Sequence, residues 1–219
     1  GGAALLSSTA DRWTKTVGTP VIEGYGLTES SPVLTFNPIG AKVKKDCIGV
    51  PMPSTEIRLV DDNGNDVALG EPGELIARGP QIMAGYWKRP EETAKTIKDG
   101  WLYTGDVAVM DADGFFKIVD RKKDMILVSG FNVYPNEVED CIAKHPDVVE
   151  VAVIGIPDAQ SGEAVKAYVV PRSPNLTQDA LRNHCKEMLT AYKVPRVVEF
   201  RKELPKTPIG KILRKDLRA

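Results

Sequence analysis

Asp120-Arg121-Lys122-Lys123-Asp124 is an unbroken charged run, and the sequence reads differently on its two sides. Before it, from about residue 47, Gly, Pro and Asp-Gly turns separate short alternating runs. Glu56-Ile57-Arg58-Leu59-Val60 reads as a strand closed by the turn Asp61-Asp62-Asn63-Gly64. Val107–Met110 and Phe115–Val119 flank Asp111-Ala112-Asp113-Gly114 as a hairpin, since turn residues between period-two runs are the hairpin signal. After the run, Met125–Ser129, Val149–Ile156, Ala164–Val170 and Val197–Arg201 read as strands. Pro135–Lys144 reads as a helix with Val138, Cys141 and Ile142 on one face. Thr177 caps another, whose inner face is Leu181, Cys185, Met188 and Leu189, and a short basic helix ends the chain. The charged run therefore marks a boundary between a β-rich portion, 1–120, and a small α+β domain, 121–219.

Composition places the 219 residues among ordinary globular proteins, with 42% apolar and 27% charged residues. A net charge of −1 gives no electrostatic case for a nucleic-acid partner. The longest apolar stretches, such as Val148–Ile156, contain Glu150 and are too short to span a bilayer. No signal-peptide pattern opens the chain; it starts without Met at Gly1-Gly2-Ala3, which reads as a cut inside a larger protein. Residues 7–17 read as a helix capped by Ser7 or Ser8 and ended by Gly18, with Trp13 and Val17 on one face. Cys47, Cys141 and Cys185 have no metal spacing and read as small core residues in a reducing compartment, the cytoplasm by default. His145 and His184 read as structural or surface residues. The acidic turns at 61–64 and 111–114 lack the spacing and terminal Glu of a calcium loop, and read as plain turns.

Three short motifs carry candidate chemistry. In Tyr25-Gly26-Leu27-Thr28-Glu29-Ser30, glycines permit close backbone approach, Thr28 can bond a phosphate oxygen, and Glu29 can hold Mg²⁺. Tyr25 offers a flat face to a purine. The same stretch also reads as a strand-to-turn connection with an exposed Glu. In Tyr103-Thr104-Gly105-Asp106, a carboxylate behind a Gly turn suits two ribose hydroxyls, and equally suits a capped turn. In Pro205-Lys206-Thr207-Pro208-Ile209-Gly210-Lys211-Ile212-Leu213-Arg214-Lys215, two prolines and a glycine fix a loop that presents Lys211, a rigid setting for what could otherwise be a solvated charge.

Together these motifs, with Gly1-Gly2-Ala3 and the block Gly114–Glu139 (which includes Asp120-Arg121-Lys122-Lys123-Asp124-Met125-Ile126-Leu127-Val128-Ser129-Gly130-Phe131-Asn132-Val133-Tyr134-Pro135), resemble the adenylate-forming superfamily. That superfamily includes acyl-CoA synthetases, adenylation domains of peptide synthetases and beetle luciferases. The block at 114–139, with Gly24–Glu29 and Ser161-Gly162-Glu163-Ala164-Val165-Lys166, looks most like bacterial long-chain fatty acid–CoA ligases. The resemblance covers the whole chain. It implies an α/β with α+β architecture: the end of a large AMP-binding domain, then a small mobile domain.

The resemblance also implies roles. A fatty acid carboxylate attacks the α-phosphate of ATP, and coenzyme A then displaces AMP from the acyl-adenylate. Gly1, Gly2, Ala3, Tyr25 and Gly26 would border the nucleotide, Thr28 would contact the α-phosphate, and Glu29 would hold Mg²⁺. Asp106 would hold the ribose, helped by Arg121, and Lys123 would be the hinge between half-reactions. Lys211 would serve adenylation, and Gly130 would line the CoA path. The family's Ser/Thr/Gly-rich phosphate loop is not present in these residues, so the chain is expected to be the carboxy-terminal part of a longer enzyme and inactive alone. Peripheral contact with the inner face of the cell membrane and a homodimer are compatible with this reading. The rival readings are an adenylating enzyme for another acid or for a carrier protein, and a non-catalytic nucleotide-binding module.

Overall fold

The computed structural model describes residues 5, 7–40, 43–208 and 210–218. The chain divides into two compact units, Gly1–Lys122 and Lys123–Ala219.

The first unit opens with α1 (Ser7–Val17), which ends where Gly18 takes φ 81° and its N–H returns to the Thr14 carbonyl at 2.9 Å. The expected caps, Ser7 and Ser8, have side chains outside the description. Strands β1 (Gly24–Gly26), β2 (Val33–Phe36) and β3 (Val50–Pro51) form a small antiparallel sheet. A larger sheet follows from β4 (Glu56–Val60), β5 (Gly73–Arg78), β6 (Ile97–Lys98), β7 (Trp101–Met110) and β8 (Phe116–Arg121). Its strand order is β4-β5-β7-β6, with β8 also paired to β7. Leu34, Leu59, Leu75, Ala77, Ala108 and Phe116 pack its core.

Both acidic turns are built as turns. Asp61 Oδ1 accepts the N–H groups of Asn63 and Asn65 at 2.8 and 2.9 Å. Asp111 Oδ1 accepts those of Asp113 and Phe115 at 2.9 and 3.0 Å. Each carboxylate supplies the acceptor that lets the chain reverse.

Between β5 and β6 stands a helix that the hydrophobic pattern does not announce, α2 (Pro90–Thr96). It has Pro at its start and Glu91 and Glu92 in its first turn, but no buried residue. With no apolar face there is no 3.6-residue periodicity to read.

The second unit is one sheet covered on both faces. Its strands are β9 (Ile126–Val128), β10 (Phe131–Val133), β11 (Val148–Asp158), β12 (Gly162–Pro171) and β13 (Val197–Phe200). β13 runs parallel to β12, and every other pairing is antiparallel. Helices α3 (Pro135–Ala143) and α4 (Gln178–Met188) share one apolar cluster with Val151, Val153, Val165, Ala167 and Val169. The alternate residues Ala152, Ile154 and Tyr168 form a second cluster with Leu204 and Leu217. Two covered faces explain why β11 is apolar almost throughout.

Thr177 Oγ1 accepts the Ala180 N–H at 3.1 Å, the expected cap. Leu181 and Cys185 face inward, but Met188, expected on that inner face, is 46% exposed. The helix ends there, and Leu189, already extended, makes the contact with the core instead. All three cysteines are buried. The His145 and His184 rings meet edge to face at 5.2 Å, and His184 Nε2 lies 3.0 Å from the Cys141 carbonyl oxygen.

A part-buried ionic cluster binds the end of the chain to the start of this unit. Arg214 Nη2 lies 2.7 Å from Glu139 Oε2 and 2.5 Å from Asn136 Oδ1. Arg218 Nη2 reaches Asp124 Oδ1 at 2.7 Å, and Arg214 Nη1 reaches Asp124 Oδ2 at 3.5 Å. Glu139 Oε1 also accepts the Val153 N–H at 2.8 Å.

Ile142 is fully buried in the α3–α4 core. Ile142→Ala is expected to destabilise the chain by about 2–5 kcal/mol through the lost contacts and the residual cavity. Met188→Ala, on the exposed end of α4, is expected to change stability by less than about 0.5 kcal/mol. Denaturant unfolding of both variants checks the pair.

Candidate active site

The candidate residues fall in both units, and each group is described where it lies. In the first unit β1 delivers Tyr25, and the single 3₁₀ turn Thr28–Ser30 follows it. Gly26 makes that connection possible, because a Cβ there would stand 1.7 Å from the Pro32 carbonyl oxygen. Ser30, fully buried, fixes the turn: its hydroxyl accepts the Leu27 N–H at 3.0 Å and donates to the Pro32 carbonyl at 2.5 Å. Thr28 is exposed at the head of the turn and Glu29 is half-buried.

Antiparallel register places Asp106 of β7 directly opposite Arg121 of β8. Arg121 Nε lies 3.5 Å from Asp106 Oδ1, and the Tyr25 hydroxyl donates to Asp106 Oδ2 at 2.5 Å. The Asp106 side chain is only 10% exposed and that of Arg121 is 46% exposed. So half-solvated a pair contributes at most about 1 kcal/mol, and its value lies in orientation. Tyr25, Asp106 and Arg121 are thus brought together. The Tyr25 ring is half-buried and packs against the sheet core. Burial first, and then the Asp106 charge, push its phenol well above the ordinary tyrosine value.

Glu29 opens onto a cavity of about 450 Å³ lined also by Tyr86, Lys95, Lys98, Tyr103 and Lys122. The Tyr86 hydroxyl donates to Glu29 Oε1 at 2.6 Å. Sequence reasoning did not single out Tyr86, because no local motif links it to Glu29. Among the described residues no group of three or more His, Cys, Asp or Glu side chains could cage a metal. Asp61, Asp62 and Glu74 also line the cavity, and Asp62 and Glu74 are paired with Lys122. Glu29 at a polar cavity fits Mg²⁺, which takes one or two carboxylates and completes its shell with phosphate oxygens and water.

In the second unit Lys123 is exposed at the boundary, in the single turn Lys122–Asp124. Ser129 and Gly130 join β9 to β10 by a two-residue turn, with Val128 paired to Phe131 and φ of 51° and 83°. Positive φ at both positions is what the tightest hairpin turn demands, and glycine meets it without strain. Lys211 is exposed on a hairpin closed by the Lys206–Ile212 bridge. Thr207 holds that tip on both sides: its N–H donates to the Lys211 carbonyl at 2.8 Å, and its hydroxyl accepts the Lys211 N–H at 3.1 Å. Leu204 and Leu217, buried in the second cluster, anchor the chain to either side. Gly1, Gly2 and Ala3, read from sequence as nucleotide contacts, lie outside the described residues.

Residues 1–87 match the family model described as AMP-binding enzyme, and residues 137–211 match that of the AMP-binding enzyme C-terminal domain. The chain belongs to the AMP-binding enzymes. Across its whole length it is 57% identical to the long-chain-fatty-acid–CoA ligase of Escherichia coli O157:H7, while spanning 39% of that relative. It is 44% identical to a feruloyl-CoA synthase of Amycolatopsis, of which it spans 45%. Among solved structures, ATP-bound MatB from Rhodopseudomonas palustris superposes with a TM-score of 0.94 at 34% identity, over 99% of this chain and 44% of that one. The chain therefore spans less than half the length of the relatives it matches.

A raised phenol pKa sets a sign for alkaline pH. Tyr25 contributes fully to stability below the ordinary phenol pKa of about 10, and that contribution is lost as pH rises above it. The stability difference between wild type and Tyr25→Phe is expected to be constant at neutral pH and to shrink above pH ~10. Denaturant unfolding across that range measures it.

Proposed function

We propose that these residues are the carboxy-terminal part of an ATP-dependent ligase that joins long-chain fatty acids to coenzyme A. The observation that supports the proposal is the 57% identity to the E. coli ligase over the whole of this chain. In the first half-reaction the acid's carboxylate attacks the α-phosphorus of ATP, forming the acyl-adenylate and releasing pyrophosphate. In the second, the CoA thiol attacks the acyl carbon and AMP leaves with the bonding electrons.

Asp106, turned by Tyr25 and Arg121, would accept hydrogen bonds from the ribose hydroxyls. Thr28 would donate to the α-phosphate, and Gly26 would keep the backbone close to the nucleotide. Mg²⁺ held through Glu29 would neutralise charge on the phosphates. Lys211 would meet the negative charge that builds on the α-phosphate during adenylation, as a preorganised cation does best. Gly130 would leave room for the pantetheine arm. Lys123 would absorb the backbone change between the half-reactions.

The Amycolatopsis relative favours a second reading, an acyl-CoA ligase for an aromatic acid. None of the residues assigned above distinguishes acyl groups, so assaying acids of different shape and length decides between them. A cytoplasmic enzyme taking its substrate at the inner face of the membrane suits long acyl chains, each methylene of which favours the bilayer by about 0.8 kcal/mol.

In a ligase of full length carrying these residues, Lys211→Ala is expected to slow adenylation by about 10²–10³. Conversion of supplied acyl-adenylate to acyl-CoA is expected to stay near the wild-type rate. Single-turnover assays of each half-reaction test this, and an unchanged adenylation rate removes Lys211 from the mechanism. Lys123→Pro is expected to spare one half-reaction and depress the other, because proline locks φ near −65° at a residue that must turn. The same assays read it, and loss of neither step places the hinge elsewhere.

A further inference from the structure

Glu29 is held twice by one distant segment. The Met83 N–H donates to the Glu29 carbonyl at 2.8 Å, which fixes the backbone. The Tyr86 hydroxyl donates to Glu29 Oε1 at 2.6 Å, which fixes the carboxylate. Helix α2 in turn sets that segment, because Thr93 Oγ1 accepts the Tyr86 N–H at 2.9 Å and donates to the Arg89 carbonyl at 2.9 Å. The apparently idle seven-residue helix is therefore the support on which Tyr86 stands.

The chemical nature of the partner matters as much as its position. A lysine or arginine on Glu29 would neutralise its charge and compete with any cation. Three lysines line the same cavity, and each is engaged with another group. Lys95 pairs with Glu92 at 2.9 Å, and Lys122 with Asp62 at 2.7 Å and Glu74 at 2.9 Å. Lys98 lies over the Tyr103 ring at 4.5 Å. The donor that does reach Glu29 is a neutral phenol.

We propose that Tyr86 is a positioning residue for the metal ligand: its hydroxyl pins one oxygen of Glu29 so that the carboxylate meets Mg²⁺ in a single orientation. A pinned carboxylate has already lost its rotational freedom before the cation arrives, and neutral hydrogen bonding leaves its full charge to the metal. The inference rests on Glu29 being the metal ligand.

The test uses Mn²⁺ as a spectroscopically visible substitute for Mg²⁺, titrated into the ATP-saturated ligase of full length carrying these residues and followed by electron paramagnetic resonance. Glu29→Gln and Tyr86→Phe are compared in parallel. Glu29→Gln is expected to weaken Mn²⁺ binding severely. Tyr86→Phe, which removes only the hydroxyl, is expected to weaken it about tenfold, the lower end of the effect of outer hydrogen-bond partners on metal affinity. Its thermal midpoint and its ATP affinity at saturating metal are expected to stay at the wild-type values. Wild-type Mn²⁺ affinity in Tyr86→Phe beside weakened binding in Glu29→Gln overturns the inference and leaves the role of Glu29 standing. Unchanged binding in Glu29→Gln overturns that role and the inference with it. A lowered thermal midpoint in Tyr86→Phe with metal affinity preserved makes Tyr86 a loop support only, which also overturns the proposal.

Discussion

Antiparallel register is the constraint on which both units depend. Side chains along a strand alternate between faces, so a shift of one residue turns every group to the wrong side. In the first unit the β7–β8 register sets Asp106 against Arg121, with Tyr25 arriving from a separate sheet to complete the group. In the second, the β11–β12 register sends Val151 and Val153 towards the helices, and Ala152 and Ile154 towards the carboxy-terminal segment. Neither the Tyr25–Asp106–Arg121 group nor the anchored Lys211 hairpin could exist in a slipped sheet.

Much of this was legible in the sequence because it was local. The strand Glu56–Val60 stands as read, and so do the hairpin around 111–114, the Gly18 stop and the Thr177 cap. Each is decided by residues within a few positions of one another. What escaped was decided elsewhere. Helix α2 buries nothing, so its only signals were Pro90 and the two glutamates after it. Met188 continues the apolar spacing of α4 yet stays exposed, because the helix stops before its turn is packed.

The candidate site follows the same division. Tyr25, Glu29, Asp106 and Lys211 were marked in the sequence by glycines and prolines close beside them. Tyr86 and Arg214 did not, because their partners are distant in sequence: Glu29 for the one, Asp124 and Glu139 for the other. An isolated tyrosine in Gly-Tyr-Trp or an arginine in a basic tail carries no local mark of the carboxylate it will meet. Only the folded chain supplies that information. Removing Arg214 would leave the buried Asp124 and the part-buried Glu139 short of a partner, which is a stronger effect than the net worth of the pair itself.

One contact of that cluster has a bearing on colloidal behaviour. β11 is paired to β12 along one side, and on its other side the Val153 N–H points at the Glu139 carboxylate. An open strand edge invites a strand from another molecule, and the usual protections are charges, prolines and bulges. Here a charged side chain takes up a backbone donor in the middle of a long, apolar strand, and Arg214 locks that side chain in place. The cluster thus also guards the sheet against growing into its neighbours, a service rendered to the concentrated solution of a cell and not to the single folded molecule.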